Sequence, residues 1–223
     1  MTTSADVAVV AGGSGAVGSS LLPQLVTRYA RVIALTRRPL PLRANNLEEA
    51  EARFDALDAA LPELCGSVDV FCALGTTLKR AGSREIFRQV DLDYVVALGR
   101  WAAHIGVNTF VVVSAVGADA RSAAFYSRVK GEMESALLEL ALKRLVVLRP
   151  SLLQVRREEF RAAEWLALQV ARPLGMLVPA AIRPVTVDDV AATMLLAARG
   201  PESLSVLENT QLHGASARLA KTT

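Results

Sequence analysis

A doubly wound α/β architecture, a parallel sheet with helices on both faces, is predicted by three features of the sequence. Short apolar, β-branched runs alternate with stretches whose apolar residues recur at helical spacing. The first run, Val7 to Ala11, leads straight into the glycine-rich turn Gly12-Gly13-Ser14-Gly15-Ala16-Val17-Gly18. The apolar runs are short and nearly continuous, as strands buried on both faces require.

The elements follow in order. After Val7 to Ala11 a helix is expected from Ala16 to Tyr29, bent by Pro23, then strands at Val32 to Thr36, Glu51 to Phe54 and Val68 to Leu74. Arg84 to His104 reads as a long helix, with Ser83 as N-cap and Gly106 as its stop. Thr109 to Ser114 is the fifth strand, Phe125 to Leu142 a helix, and Leu145 to Arg149 the sixth strand, closed by Pro150. Beyond Pro150 an amphipathic stretch from Glu158 to Arg172 precedes loops at Pro173, Pro179 and Pro184. A helix from Asp188 to Arg199 follows, stopped by Gly200-Pro201, then an edge strand around Ser205-Val206-Leu207 and a frayed tail.

Composition sets the outer bounds. The 223 residues, 52% hydrophobic and 21% charged, suit one domain with one large core. Residues 1–150 would form its cofactor-binding core and residues 151–223 its substrate-facing elements. Mean hydropathy is +0.33, but no run reaches the roughly 18 to 20 apolar residues of a spanning helix, which argues against a membrane protein. Met1 to Asp6 shows no export pattern, so a cytoplasmic location and reduced thiols at Cys65 and Cys72 are expected. The net charge of +3 comes from 25 basic residues scattered among 22 acids, which does not indicate nucleic-acid binding.

Gly12, Gly15 and Gly18 stand in a G-x-x-G-x-x-G spacing between a strand and a helix. A tight turn alone would explain isolated glycines. In this context they let the backbone approach a pyrophosphate, with free N–H groups and a helix dipole favouring the anion. The expected site is therefore the dinucleotide pocket of a Rossmann fold, formed by Gly12, Gly13, Ser14, Gly15, Ala16, Val17 and Gly18. No acid occurs between Gly18 and Glu48, and strand 2 ends in Arg37-Arg38, with Arg43 nearby. An arginine pair suits a 2′-phosphate through forked, charge-assisted hydrogen bonds, where NAD would call for a carboxylate. NADPH is expected over NADH, the alternative being a solvated basic turn. Asp55 is placed to accept a hydrogen bond from the adenine amino group, while Asp58 suits a helix start.

Ser114 ends strand 5 at the carboxyl edge of the sheet, where such folds bind ligands. Tyr126 and Lys130 follow at i,i+4 and share a helix face. The ammonium is expected to lower the phenol pKa, so that Tyr126 exchanges a proton with substrate. Ser114 would hold the substrate oxygen, and Lys130 would also bind the nicotinamide ribose.

With these residues the chain resembles the extended and atypical short-chain dehydrogenase/reductases. The resemblance rests on the glycine turn, Ser114, Tyr126-Ser127-Arg128-Val129-Lys130, Leu148-Arg149-Pro150 and Arg183-Pro184-Val185-Thr186-Val187-Asp188-Asp189-Val190-Ala191. Phe71-Cys72-Ala73-Leu74-Gly75-Thr76-Thr77 and Gly82-Ser83-Arg84 further resemble the small Tat-interacting-protein-type oxidoreductases, which bind NADPH. The resemblance implies that Ala73, Leu74, Gly75 and Thr76 border the cofactor, that Pro150 lies near the nicotinamide end, and that helices four and five support a homodimer. Asp91 departs from the asparagine of many relatives, and the larger substrate domain of sugar-nucleotide epimerases is missing.

His104 and His213 belong to no metal-spaced cluster, so no metal site is expected. Trp101 and Trp165 read as packing residues, and Arg156-Arg157-Glu158-Glu159 as a solvated helix start. The leading functional expectation is NADPH-dependent oxidation or reduction of a small carbonyl or alcohol. The alternatives are a dinucleotide-responsive regulatory protein and an epimerase or dehydratase with tightly held NADP.

Overall fold

The computed structural model describes residues 6–61, 64, 66–154 and 179–221. Cys65, Arg156-Arg157-Glu158-Glu159, Trp165, Pro173 and the stretch from Glu158 to Arg172 lie outside the described residues, and so do the expectations attached to them.

Seven parallel strands form the main sheet. They are β1 (Val7–Ala11), β2 (Arg31–Thr36), β3 (Leu47–Glu51), β4 (Val68–Cys72), β5 (Thr109–Val113), β6 (Leu145–Arg149) and β9 (Leu204–Glu208), in spatial order β3-β2-β1-β4-β5-β6-β9. Val9 lies opposite Ile33 on β2 and Val70 on β4, which fixes the centre of the sheet. Two short strands, β7 (Leu153–Gln154) and β8 (Val185–Thr186), pair separately.

Strand pleat divides the core into two layers. Ala8 and Val10 face one side, against α1 (Ala16–Leu25) and α7 (Val187–Ala197), while Val9 and Ala11 face the other, against α5 (Tyr94–Ile105) and α6 (Phe125–Leu138). The alternating faces of β1 are thus both apolar because both are covered.

Most expected elements are present, with shifted ends. The first helix stops at Leu25 instead of Tyr29, with Pro23 in its last turn. The expected third strand at Glu51 to Phe54 lies earlier, at Leu47–Glu51, because acidic residues disguise an edge strand. Glu48 bonds Arg31 through both carboxylate oxygens, at 2.7 and 2.8 Å. Glu49 accepts from Arg43 at 2.6 Å and from the Leu40 N–H at 3.1 Å.

The long helix expected at Arg84 to His104 is α4 (Arg84–Arg88) and α5, joined by a π-helical turn over Gln89–Asp93. Ser83 caps it, accepting the Ile86 N–H at 3.1 Å, and Gly106 ends it in the left-handed conformation at φ 68°. Short helices α2 (Leu57–Ala60) and α3 (Leu78–Ala81) flank β4, with Asp58 in the first turn of α2. The helix from Phe125 ends at Leu138, short of Leu142, where the Leu140 N–H turns back to the Leu137 carbonyl at 3.1 Å.

The tail is a correction. It forms α8 (Asn209–Leu212) and α9 (Ala215–Ala220) instead of fraying, since Leu212, Ala215 and Leu219 are buried against α7. Asp189, at the start of α7, accepts both the Ser216 N–H (3.0 Å) and the Ser216 hydroxyl (2.6 Å). Desolvation pushes the Asp189 carboxyl up, but the bonds from Ser216 and Thr186 outweigh it and hold its pKa below the ordinary value.

Two buried polar groups brace opposite ends of the sheet. At the amino end Asp69 accepts from Tyr29 (2.8 Å) and Asn108 (3.1 Å). Beyond the carboxyl end of β6, Asn209 accepts the Ser151 N–H at 2.8 Å and donates to the carbonyls of Ala180 (3.1 Å) and Arg183 (2.9 Å).

A carboxylate whose folded pKa is depressed contributes stability above its unfolded pKa, lost as pH falls through the folded value. Urea unfolding in the acidic range is therefore expected to show less pH dependence for Asp189→Asn than for the unaltered chain. Asn209→Ala should cost about 1–3 kcal/mol by stranding buried donors and acceptors, measurable in the same assay at neutral pH.

Candidate dinucleotide and proton-transfer site

Strand order reverses at β1, whose neighbours β2 and β4 lead to opposite halves of the sheet. Open α/β sheets bind ligands at this point, beyond the carboxyl ends of the strands. Here the turn after β1 touches the loop after β4. Gly12 has φ +86°, and a Cβ on it would lie 2.4 Å from the Ala73 carbonyl oxygen. A Cβ on Gly18 would lie 2.1 Å from the Gly12 oxygen, so the first turn of α1 and the glycine turn interlock through absent side chains.

The turn is closed by the Gly15 N–H bonding the Gly12 carbonyl at 2.9 Å, with Gly13 packed on Leu22. Gly15 is the N-cap of α1 and offers no side-chain hydrogen bond, and no acid lies in the first turn. The amides at the start of α1, after Ser14 and through Ala16, Val17 and Gly18, thus form an uncapped helix N-terminus suited to an anion.

Beyond β2 the chain turns on Thr36, whose hydroxyl donates to the Arg38 carbonyl (2.5 Å) and accepts the Arg38 N–H (3.2 Å). Arg37 and Arg38 are exposed, and neither side chain meets a carboxylate among the described residues. Arg43 differs, since Glu49 and the Leu40 carbonyl hold it. Asp55 is exposed in the loop after β3.

The loop after β4 begins with Ala73, whose N–H continues the ladder to the Ala11 carbonyl at 2.8 Å. Ala73 and Leu74 are half-buried, Gly75 is exposed, and the Thr76 N–H bonds Oδ2 of Asp91 at 2.8 Å. Asp91 is 1% exposed, and its Oδ1 lies 2.8 Å from Nζ of Lys130. Sequence reasoning noticed Asp91 only as a departure from a pattern; its burial against Lys130 could not be read from spacing.

On α6, Tyr126 and Lys130 lie on one face, Tyr126 42% exposed and Lys130 buried. The ring of Tyr126 packs 5.7 Å from that of Phe87. A close approach seats the helix here: a Cβ on Gly131 would fall 2.1 Å from the Ala120 nitrogen. The expectation of a lowered Tyr126 pKa is corrected. Partial desolvation of the phenol raises it, Lys130 lowers it and Asp91 raises it again, and the balance is upward.

Ser114 lies just past β5, with its N–H still bonded to the Leu148 carbonyl at 2.7 Å. Its buried hydroxyl donates to Glu134, two turns along α6 from Tyr126. Glu134 in turn binds Arg149 through Nη2 (2.5 Å) and Nε (3.1 Å), and Arg149 reaches Glu208 at 2.9 Å. These bonds to two carboxylates hold the Arg149 guanidinium above its usual range against the opposing effect of burial. Glu134 was not anticipated, although its i,i+4 spacing from Lys130 puts it on the same face. Pro150 is buried, and its carbonyl accepts the Val116 N–H at 2.9 Å.

The NAD(P)H-binding family matches residues 12–156, a stretch that begins at the first glycine of the turn and runs past Pro150. The chain belongs to the NAD(P)H-binding family. Among its relatives are Protein HTATIP2 of Rattus norvegicus, 37% identical over 71% of this chain and 67% of that one, and the mitochondrial Protein FMP52 of Eremothecium gossypii, 36% identical over 68% of each. The expected cytoplasmic location is overturned by these relatives, since FMP52 proteins from several fungi are named mitochondrial.

Solved structures share the fold of this NAD(P)H-binding chain. MoeE5 in complex with UDP-glucose and NAD superposes with a TM-score of 0.65 over 96% of this chain and 82% of that one, at 17% identity. The human epimerase family protein SDR39U1 with NADPH gives 0.60 over 92% and 77%, also at 17% identity.

Other features lie apart from the site. Cys72 is a buried free thiol at the end of β4, its pKa pushed up to about 12 by burial. Trp101 is buried, as expected, and lines a cavity of about 570 Å³ with Leu61, Ile105 and Lys143. That cavity opens at the amino ends of β4 and β5, away from the glycine turn. Among the described residues no helix is long and apolar enough to cross a membrane, and no group of three His, Cys, Asp or Glu could hold a metal.

Gly12→Ala combines a left-handed φ with a clash against Ala73 backbone, so it is expected to abolish dinucleotide binding. Fluorescence titration with NADPH checks this, with circular dichroism to confirm folding.

Proposed function

We propose that this protein is an NADPH-dependent oxidoreductase acting on a small carbonyl or alcohol, with Tyr126 as its proton-transfer group. The observation that carries the reading is the convergence of the glycine turn, the Ala73 to Thr76 loop and the Tyr126-Lys130 face of α6 at one sheet edge, with Asp91 joining the last two. The residues present fit a dinucleotide. Side chains at Gly12 and Gly18 would fill the cradle, and the start of α1 keeps free amides for a pyrophosphate.

Arg37 and Arg38 support NADPH over NADH. They follow β2, where the adenosine ribose is bound in such folds, and no carboxylate among the described residues competes for them. Asp55 would accept from the adenine amino group and Lys130 would reach the nicotinamide ribose, with Pro150 beside the nicotinamide. When bound, the cofactor supplies or accepts the hydride. Tyr126 then gives a proton to the substrate oxygen or takes one from it.

Ser114 favours a second reading. Its hydroxyl proton is committed to Glu134, so it accepts a hydrogen bond more readily than it donates one to a carbonyl. A dinucleotide-responsive binding protein without turnover is consistent with that arrangement.

NADPH is expected to bind at least tenfold more tightly than NADH, because losing charge-assisted bonds to a 2′-phosphate costs about 1.5–3 kcal/mol each. Arg37→Glu with Arg38→Glu should reverse the preference, and equal affinities in the unaltered chain would remove the role of both arginines. On a panel of small carbonyls, NADPH oxidation should fall by about two to four orders of magnitude in Tyr126→Phe while NADPH affinity stays the same. Dinucleotide binding with no turnover on any member of the panel would favour the second reading.

A further inference from the structure

Asp91 is a carboxylate buried between the two helices α4 and α5. It occupies the π-helical turn between α4 and α5, a local insertion of the kind that re-aims side chains at functional sites. Both of its oxygens are used, one by the Lys130 ammonium and the other by the Thr76 N–H, each at 2.8 Å. One buried group therefore ties the loop after β4 to the lysine of α6. Buried pairs of this kind cost desolvation and are weak evidence for stability, so a role in the site accounts for it better.

The charges around Tyr126 come from three elements among the described residues. α6 contributes Lys130, one turn along from Tyr126, and Arg128, whose guanidinium lies 5.9 Å over Phe125. α4 contributes Arg84, 5.1 Å over the same ring, and Arg88, which is paired with Glu132 on α6 at 2.5 Å. The π turn contributes Asp91. Lys130 is the cation one helical turn from Tyr126, and its ammonium is the one that Asp91 pairs with.

We propose that Asp91 is a positioning residue that holds Lys130 in a buried ion pair and keeps Tyr126 as its neutral phenol, the form that gives a proton to a carbonyl oxygen. The proposal rests on the reading of Tyr126 as the proton-transfer group. In the reduction it favours, the Tyr126 O–H bond would break as the alcohol O–H bond forms, with the carbonyl carbon taking the hydride that a bound reduced dinucleotide would supply. The tyrosinate left behind is reprotonated from solvent. Without Asp91 the unpaired ammonium would shift the balance toward tyrosinate, the form suited to removing a proton from an alcohol, against the opposing effect of burial.

Tyrosinate absorbance, taken as the difference between the full chain and its Tyr126→Phe variant, reads Tyr126 without substrate or cofactor. In the unaltered chain its midpoint is expected above the ordinary phenol value of 10.0. In Asp91→Asn, referenced to Asp91→Asn with Tyr126→Phe, it is expected to move downward from the unaltered midpoint. An unaltered midpoint at or below the ordinary value, or an Asp91→Asn midpoint that does not move, would overturn the proposal. Should Asp91→Asn fail to fold, an unaltered midpoint at or below the ordinary value still overturns the proposal. Since the titration needs no turnover, its failure is distinguishable from failure of the oxidoreductase reading, which the carbonyl panel reports.

Discussion

The approach of Gly12 to the Ala73 carbonyl is the constraint on which the rest of the site depends. β1 and β4 are hydrogen-bonded neighbours, and their continuations can meet only if one backbone has no side chain and adopts a positive φ. That contact sets the start of α1, which Gly18 presses onto the same turn, and the start of the loop that ends at Thr76. From Thr76 a single hydrogen bond leads to Asp91 and a single ion pair leads on to Lys130. A chain of close contacts thus connects the glycine turn to α6 without crossing the core.

Elements whose chemistry is local were legible in the sequence. β1, the glycine turn, the Ser83 cap, the Gly106 stop and β6 follow from apolar runs, caps and glycine geometry. The site residues were legible as positions on particular edges and faces: Arg37 and Arg38 beyond β2, Tyr126 and Lys130 on α6, Ser114 after β5. What escaped depends on partners distant in sequence. β3 was misplaced because Glu48 and Glu49 look like loop residues until Arg31 and Arg43 are beside them. The tail looked frayed because nothing in its own sequence announces that Ser216 will meet Asp189.

The direction of the Tyr126 shift shows the same division more sharply. An i,i+4 lysine by itself predicts a lowered phenol pKa, but burial of Tyr126 pushes it up and Asp91 adds to the rise. The carboxylate that neutralises this lysine arrives from another helix, at a position where an α-helical register gives way to a π turn. Ser114 carries a similar lesson, because Glu134 claims its proton and Arg149 fixes Glu134. Ser114 and Lys130 are each held from behind by an acid, so the site is shaped as much by buried carboxylates as by the residues at its surface.

The position of β9 bears on how the chain reaches this state. Its partner is β6, more than fifty residues earlier, while α9 docks on α7 and α7 docks on α1. The helix opening with the glycine turn is therefore covered by segments that emerge later in synthesis than the first six strands. Native pairing of such sequence separation is slow to form and leaves apolar surface exposed until it does. A ribosome-bound chain with only the first six strands out displays the face of α1 that α7 later covers.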